Sequence, residues 1–227
     1  RWRHAGDAFA RSAALAGEAA RLLDGEDAAA LADLPDADGN LAITRLRALP
    51  HERRARVLRR WTAARDLPPL PGNGIARIES DLLDADHGSS ARFDWSGARI
   101  QRWRDLLHAR RIDAMLPTEW SCAWDGGAPL ALPTGDTLAL EGADGFDRPL
   151  RVHARRGGER IRLPGRTHSH ALKQVLQDAD VPPWRRERMP LVSDGDELLA
   201  AGDAIVSARL ATWLQARDAR LQWNRLA

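Results

Sequence analysis

One change of texture, near Pro117, limits the fold of this chain more than any other feature of its sequence. Before it, apolar residues recur at helical spacing over long windows. After it, short alternating runs are cut repeatedly by Gly, Pro and Asp. Phe9 to about Leu31 is Ala-rich, with Leu15, Ala19, Leu22 and Leu23 three to four residues apart, which predicts a helix. Pro35, Asp36, Asp38 and Gly39 then form a turn; a calcium loop would need Glu where Arg45 stands. Leu41 to Leu49 reads as a short alternating piece. Pro50 opens a second helix with an apolar face of Val57, Leu58, Trp61 and Ala64, and with Arg53, Arg56 and Arg60 stacked opposite. A third helix runs from about Gly74 to Leu83 through Ile75, Ile78 and Leu82. Arg92 to Asp94 and Ala98 to Trp103 alternate around Ser96-Gly97 as a hairpin.

Beyond Pro117 the runs EWSCAW, PLALP, TLALEG and LRVHARR read as strands. A helix from about Ser169 to Ala179 carries Leu172, Val175, Leu176 and Ala179. The strands PLVS and ELLAAG flank the turn Asp194-Gly195-Asp196. A short helix with Leu210, Trp213 and Leu214, and a strand RLQW, complete the pattern. The expectation is an α+β chain: a helical first domain with a small β-hairpin over 1–116, then a mixed α+β second domain over 117–227.

A single cysteine, Cys122, leaves no internal disulfide and no Cys-rich zinc site, which fits a reducing compartment and a cytoplasmic location. No apolar run approaches the roughly 20 residues that span a bilayer, so no membrane partner is expected. The chain starts on Arg1 rather than Met, and a piece of a longer protein is expected. Its formal net charge is only +2, so total charge does not demand a nucleic acid. The positive charge is almost all arginine, with Lys173 the sole lysine. Clustered arginines suit phosphate and stack on bases; the Ala-rich composition equally suits a coding bias toward arginine, so position must decide.

Position points to 155–191. Gly157-Gly158 and Pro164-Gly165 are tight turns around a short strand, surrounded by Arg155, Arg156, Arg160, Arg162 and Arg166. A helix starting near Ser169, with Lys173 one turn in, would aim free N–H groups beside that basic turn, as an anion site requires. Arg185, Arg186 and Arg188 follow Trp184, an indole that either stacks on a base or plugs the core. His168 and His170 share a face only in extended chain and lack a third ligand, so no metal site is assigned. Asp194 and Asp196 read as hairpin-turn residues. Ser121, Cys122 and His153 form no recognisable nucleophile arrangement.

The same stretch resembles the C-terminal domain of tRNA(Ile)-lysidine synthetase. The likeness rests on Arg156-Gly157-Gly158-Glu159-Arg160, Leu163-Pro164-Gly165-Arg166, His168-Ser169-His170 and Leu172-Lys173. Val181-Pro182-Pro183-Trp184, Arg188, Pro190-Leu191 and Ala200-Ala201-Gly202-Asp203 continue it in order. More loosely, Leu46, Leu49, Arg53, Arg54, Leu58-Arg59-Arg60-Trp61 and Arg102-Trp103 are similar to that family's substrate-binding domain. The resemblance implies an ATP-dependent ligase that attaches lysine to the wobble cytidine of an isoleucine tRNA through an adenylated cytidine. In that family ATP and Mg act in an N-terminal domain with a Ser-Gly-Gly-x-Asp-Ser loop. The glycine pairs here, Gly126-Gly127 and Gly157-Gly158, do not match it.

The resemblance therefore implies tRNA as partner, with no catalytic residue and no cofactor in this stretch, and leaves a homodimer of the parent open. Its tRNA contacts are expected at Arg155, Arg156, Arg160, Arg166, His168, Lys173, Arg185, Arg186 and Arg188, and at Arg53, Arg56 and Arg60 of the first domain. Two other readings stand beside it: a self-contained protein-interaction module without RNA binding, and a small hydrolase built around His168 and His170.

Overall fold

The first helix, α1 (Ala5–Asp33), forms for the reason its sequence gives, since alanine has the highest helix propensity. Its apolar spacing does not make it a core helix. In this computed structural model, which describes residues 5–84, 91–112 and 115–225, Phe9, Leu15 and Leu22 are 77%, 66% and 67% exposed. Among the described residues, the C-terminal third of α1 is held by arginines of α3 (His51–Ala64) and by Arg45, which donates to the Asp33 carbonyl at 2.8 Å. The chain divides into two compact units, 1–112 and 113–227, each with its own apolar core.

In the first unit a two-residue strand, β1 (Leu41–Ala42), leads directly into α2 (Ile43–Arg47). The alternating piece expected over Leu41 to Leu49 is thus mostly helix. The cause lies sixty residues away. Asp105 accepts from the Thr44 N–H at 3.0 Å and the Thr44 hydroxyl at 2.6 Å, and its carbonyl accepts from the Ile43 N–H at 2.7 Å. Those bonds satisfy helix-start donors that the local sequence leaves open.

On α3, Val57, Leu58 and Trp61 are buried as expected. The fourth buried position is Thr62 rather than the exposed Ala64. The Thr62 hydroxyl escapes the desolvation penalty by donating back to the Leu58 and Arg59 carbonyls. α4 (Gly74–Ile78) runs into a π-helical turn, Glu79–Leu83, and buries Ile75, Ile78, Leu82 and Leu83.

An antiparallel sheet of order β1-β4-β3-β2 completes this unit, from β2 (Arg92–Trp95), β3 (Ala98–Trp103) and β4 (Leu106–Arg111). Ser96 and Gly97, at φ 41° and 77°, make the two-residue left-handed turn that matches strand twist. The β3–β4 turn, Arg104-Asp105, carries no such signal, and the sequence reading found no β4. Arg104 is held at φ 55° with its guanidinium 4.9 Å from the Trp103 ring centre. Arg102 is 1% exposed and donates to the carbonyls of Leu82, Leu83 and Arg104. It thereby supplies the π-helical turn with donors that its irregular backbone lacks.

The second unit is built on a sheet of order β10-β9-β12-β11-β8-β5, with β13 beside β12. Its strands are β5 (Ser121–Trp124), β8 (Leu150–His153), β9 (Arg160–Ile161), β10 (His170–Ala171), β11 (Leu191–Asp194), β12 (Glu197–Ala201) and β13 (Ile205–Val206). Among the described residues, only the β12–β9 pairing is parallel. A smaller sheet joins β6 (Leu130–Ala131) and β7 (Thr137–Glu141) to β14 (Arg220–Asn224), so the last strand pairs with an early part of the unit. Helices α5 (Leu172–Asp178), α6 (Pro183–Arg186) and α7 (Ala208–Gln215) accompany the sheets. α7 is capped by the Ser207 hydroxyl, which accepts from the Leu210 N–H at 3.2 Å. The fold is α+β, with helices dominating the first unit and a mixed sheet the second.

α5 starts at Leu172, three residues later than the sequence predicts. His170 and Ala171 are instead strand residues paired to Ile161 and Arg160. Ser169 does not cap the helix, because its hydroxyl accepts from Arg160 Nε at 3.0 Å. The Leu172 N–H is taken by the Glu159 carbonyl at 2.8 Å. A seven-residue helix whose first N–H is already occupied is no anion site of the kind the sequence suggested.

Candidate nucleic-acid interface

The arginine-rich stretch of the second unit forms three different environments. The first is the Gly157-Gly158 turn. The Glu159 carboxylate folds back into it and accepts the Arg156 N–H at 2.5 Å and the Gly157 N–H at 2.6 Å. Burial opposes ionisation of Glu159, yet those N–H groups, its own N–H and the Arg155 guanidinium hold its carboxyl below the usual range. The protein thus supplies its own anion to a backbone nest that a phosphate would otherwise fit. Arg155 lies against Glu159 at 3.5 Å, and Arg156 reaches Glu119 at 2.9 Å and the Thr118 carbonyl at 3.3 Å. The sequence marks Glu159 as a carboxylate able to pair the neighbouring arginines, and it does pair with Arg155; its bonds to the turn N–H groups are not legible there.

The second environment is the connection from β9 to β10 and the start of α5. Arg160 fastens this connection by donating to the Ser169 hydroxyl and carbonyl. Pro164-Gly165 makes the turn, with Gly165 at φ 71° and the Arg166 N–H donating to the Leu163 carbonyl at 3.1 Å. Arg166, His168 and Lys173 are exposed. Among the described residues, none of their side chains has a protein partner. The internally fastened hairpin and the first turn of α5 thus present two unneutralised cations and an imidazole to solvent.

The third environment follows α5. Arg186 Nε donates to the Val181 carbonyl at 2.5 Å, and Arg185 lies 4.0 Å from Asp203. Arg188 is committed inward: it pairs with the fully buried Asp136 at 2.6 Å and donates to the Thr134 carbonyl at 3.1 Å. Trp184 is 9% exposed, which is the core reading of that indole. A cleft of about 450 Å³ lies between Arg155, Arg156, Arg186, Leu116 and Met189.

In the first unit, the Arg53, Arg56 and Arg60 stripe faces α1. Arg53 donates to the Glu26 carbonyl at 3.1 Å, and Arg60 to the Asp24 carbonyl at 3.1 Å. Arg56 pairs with Asp27 at 2.8 Å, and Asp27 is only 4% exposed. These arginines meet α1 about two turns before its last residue, Asp33, where they pair with Asp24 and Asp27 and add a donor to helix carbonyls of 24 and 26.

The glycine pairs show no fit to a triphosphate. The Gly157 N–H is taken by Glu159, and the Gly127 N–H by Asp125 at 3.0 Å. Among the described residues no three His, Cys, Asp or Glu side chains converge as metal ligands, and no helix is long and apolar enough to cross a membrane.

The TilS substrate-binding domain family matches residues 41–108, and the TilS substrate C-terminal domain family matches residues 150–223. A tRNA(Ile)-lysidine synthase of Xylella fastidiosa (strain Temecula1) is 53% identical over 99% of this chain and 52% of its own length. The chain matches the substrate-binding and C-terminal domains of the tRNA(Ile)-lysidine synthase family. It is also 48% identical to the Xanthomonas axonopodis pv. citri enzyme, over 100% of this chain and 52% of that protein. The Salmonella newport enzyme is 33% identical over 91% of this chain and 49% of its own. The chain spans about half the length of the curated relatives it matches. Arg155 to Arg188 fall inside the C-terminal match, and Arg53, Arg56 and Arg60 inside the substrate-binding match, whereas α1 lies outside both.

Proposed function

We propose that this chain is the tRNA-gripping region of a tRNA(Ile)-lysidine synthase. The parent would be an ATP-dependent ligase that joins lysine to the wobble cytidine of isoleucine tRNA through an adenylated intermediate. ATP and Mg would act outside this stretch, with the whole enzyme in the cytoplasm. In this reading, 1–116 and 117–227 are two tRNA-binding domains, and dimerisation belongs to the parent.

The observation that carries the proposal is the exposed, unpartnered set of Arg166 and His168 on a fastened hairpin and Lys173 in the first turn of α5, inside the C-terminal match. Held cations without carboxylate partners suit phosphates, and contacts of that kind orient an RNA without reading its bases. Arg160 is a positioning residue of the hairpin, and Arg155 and Arg156 form its partly neutralised flank. Arg185 and Arg186 contribute a further basic edge. Arg188 serves the core and is left out of the interface. Arg53, Arg56 and Arg60 support it indirectly, by fixing the C-terminal third of α1.

Filter binding of the 227-residue chain to isoleucine tRNA tests this. Saturable binding that Arg166→Ala with Lys173→Ala weakens is expected. Undetectable binding at low salt, or binding indifferent to both substitutions, would remove the proposal.

A further inference from the structure

A second feature of the strand-rich unit lies away from the hairpin and is chemically unlike it. A cleft of about 580 Å³ opens between α7 and the segment 146–150. Its floor is apolar: Leu150, Leu199 and Leu210 are each no more than 5% exposed. Its wall is aromatic, with the Phe146 and Trp213 rings 5.0 Å apart at 44°. Its rim is charged yet internally balanced. Arg148 and Arg209 both pair with Asp194, Arg209 also reaches Glu197 at 2.9 Å, and Arg217 pairs with Asp147 at 3.1 Å. The Arg217 guanidinium lies 4.2 Å from the centre of the Trp213 ring, and the indole N–H donates to Asp147 at 3.0 Å.

Every arginine of this rim already faces a carboxylate, so a phosphate would have to displace a bonded partner. What the cleft offers instead is a slot of the size that small ligands use, with a half-buried indole, covered in part by Arg217, beside the Phe146 ring, and both donors and acceptors at its edge. An unstacked nucleobase matches each part. It is flat and uncharged, stacks on an aromatic wall, and presents donors and acceptors in its own plane. An aromatic protein side chain would use the floor but leave the rim idle.

We propose that this cleft is a subsite for an unpaired base of the bound RNA, packed against the Phe146–Trp213 wall and met at its edge by Arg148 or Asp147. The inference rests on RNA binding by the chain, but its physical signature differs. Stacking on an uncharged base releases few counterions, so the cleft contributes affinity without contributing salt dependence.

Two experiments on the 227-residue chain test it. In the first, the tryptophan indole resonances are followed by NMR during titration with the four nucleosides and, separately, with inorganic phosphate. The Trp213 resonance, assigned from its loss in Trp213→Leu, is expected to move with at least one nucleoside and not with phosphate. The movement should vanish in Ala216→Leu, which fills the cleft from the exposed end of α7. No nucleoside response at Trp213, or a response to phosphate alone, overturns the proposal. In the second, RNA affinity is measured across salt concentrations for both variants, with circular dichroism confirming the fold. Affinity should fall about tenfold at every salt concentration, with an unchanged log–log slope. Unchanged affinity in Ala216→Leu, or a flattened slope, would contradict it. Should the wild-type chain bind no RNA, the gripping function fails and the nucleoside titration still decides the cleft.

Discussion

Replacing Arg188 by Ala removes half of an ion pair whose other half, Asp136, is fully buried. It also withdraws the donor from the Thr134 carbonyl. Breaking a buried pair from one side leaves an uncompensated charge in a poorly solvated place, at about 3–5 kcal/mol. A unit of this size has a total stability of about 5–15 kcal/mol, so Arg188→Ala should remove at least about a fifth of it. At about 4 °C per kcal/mol the melting midpoint of the second unit should drop by roughly 12–20 °C. Calorimetry of the whole chain reads this out. The double variant Arg188→Met with Asp136→Leu should recover most of the loss, because it removes both charges and keeps apolar volume. Arg188→Ala that stays within about 0.5 kcal/mol of wild type while losing RNA affinity would refute the reasoning, since Arg188 would then act at the RNA surface.

Glu159→Gln should destabilise the second unit by about 1–2 kcal/mol at pH 7, because it weakens charge-assisted bonds to two backbone N–H groups. The folded carboxyl titrates below the unfolded value of about 4.3, so this stabilisation is complete above that value and is lost as pH falls through the folded one. Urea titrations of both proteins from pH 7 to pH 3 should converge in acid; a gap that widens there would be inconsistent with the nest. In the first unit, Arg56→Ala should loosen the C-terminal third of α1 by unpairing Asp27. Hydrogen exchange at 24–27 should accelerate while the middle of α3 stays protected, and unchanged exchange would mean that the α1–α3 pairing does not depend on this bond.

Periodicity made α3, α4, the Ser96-Gly97 hairpin and most strands of the second unit legible, because their residues alternate or repeat with the faces they bury. It failed where a distant group decided the matter. Leu41 to Leu49 alternates like a strand, but Asp105 caps a helix there. Ser169 looks like a helix cap, but Arg160 takes it. α1 shows the opposite error: its spacing is regular, yet Phe9, Leu15 and Leu22 are exposed. The same limit applied to the candidate interface. Sequence places arginines along the chain but does not say which carboxylate each one meets. Among them, Arg166 kept its charge unpartnered, as did Lys173. Arg188, Arg56 and Arg60 acquired acidic partners through folding.

The central claim is that RNA is gripped through unneutralised cations on the β9–β10 hairpin and the start of α5. Binding of isoleucine tRNA, measured at several salt concentrations for wild type and for the Arg166→Ala/Lys173→Ala variant, tests it most directly. Each phosphate contact adds about 0.7–0.9 to the slope of log affinity against log salt, so losing two should flatten it by roughly 1.4–1.8. The account predicts that flattening together with weaker binding at low salt and an unchanged melting curve. Wild-type affinity and slope in the double variant would contradict it and place the grip elsewhere on the chain.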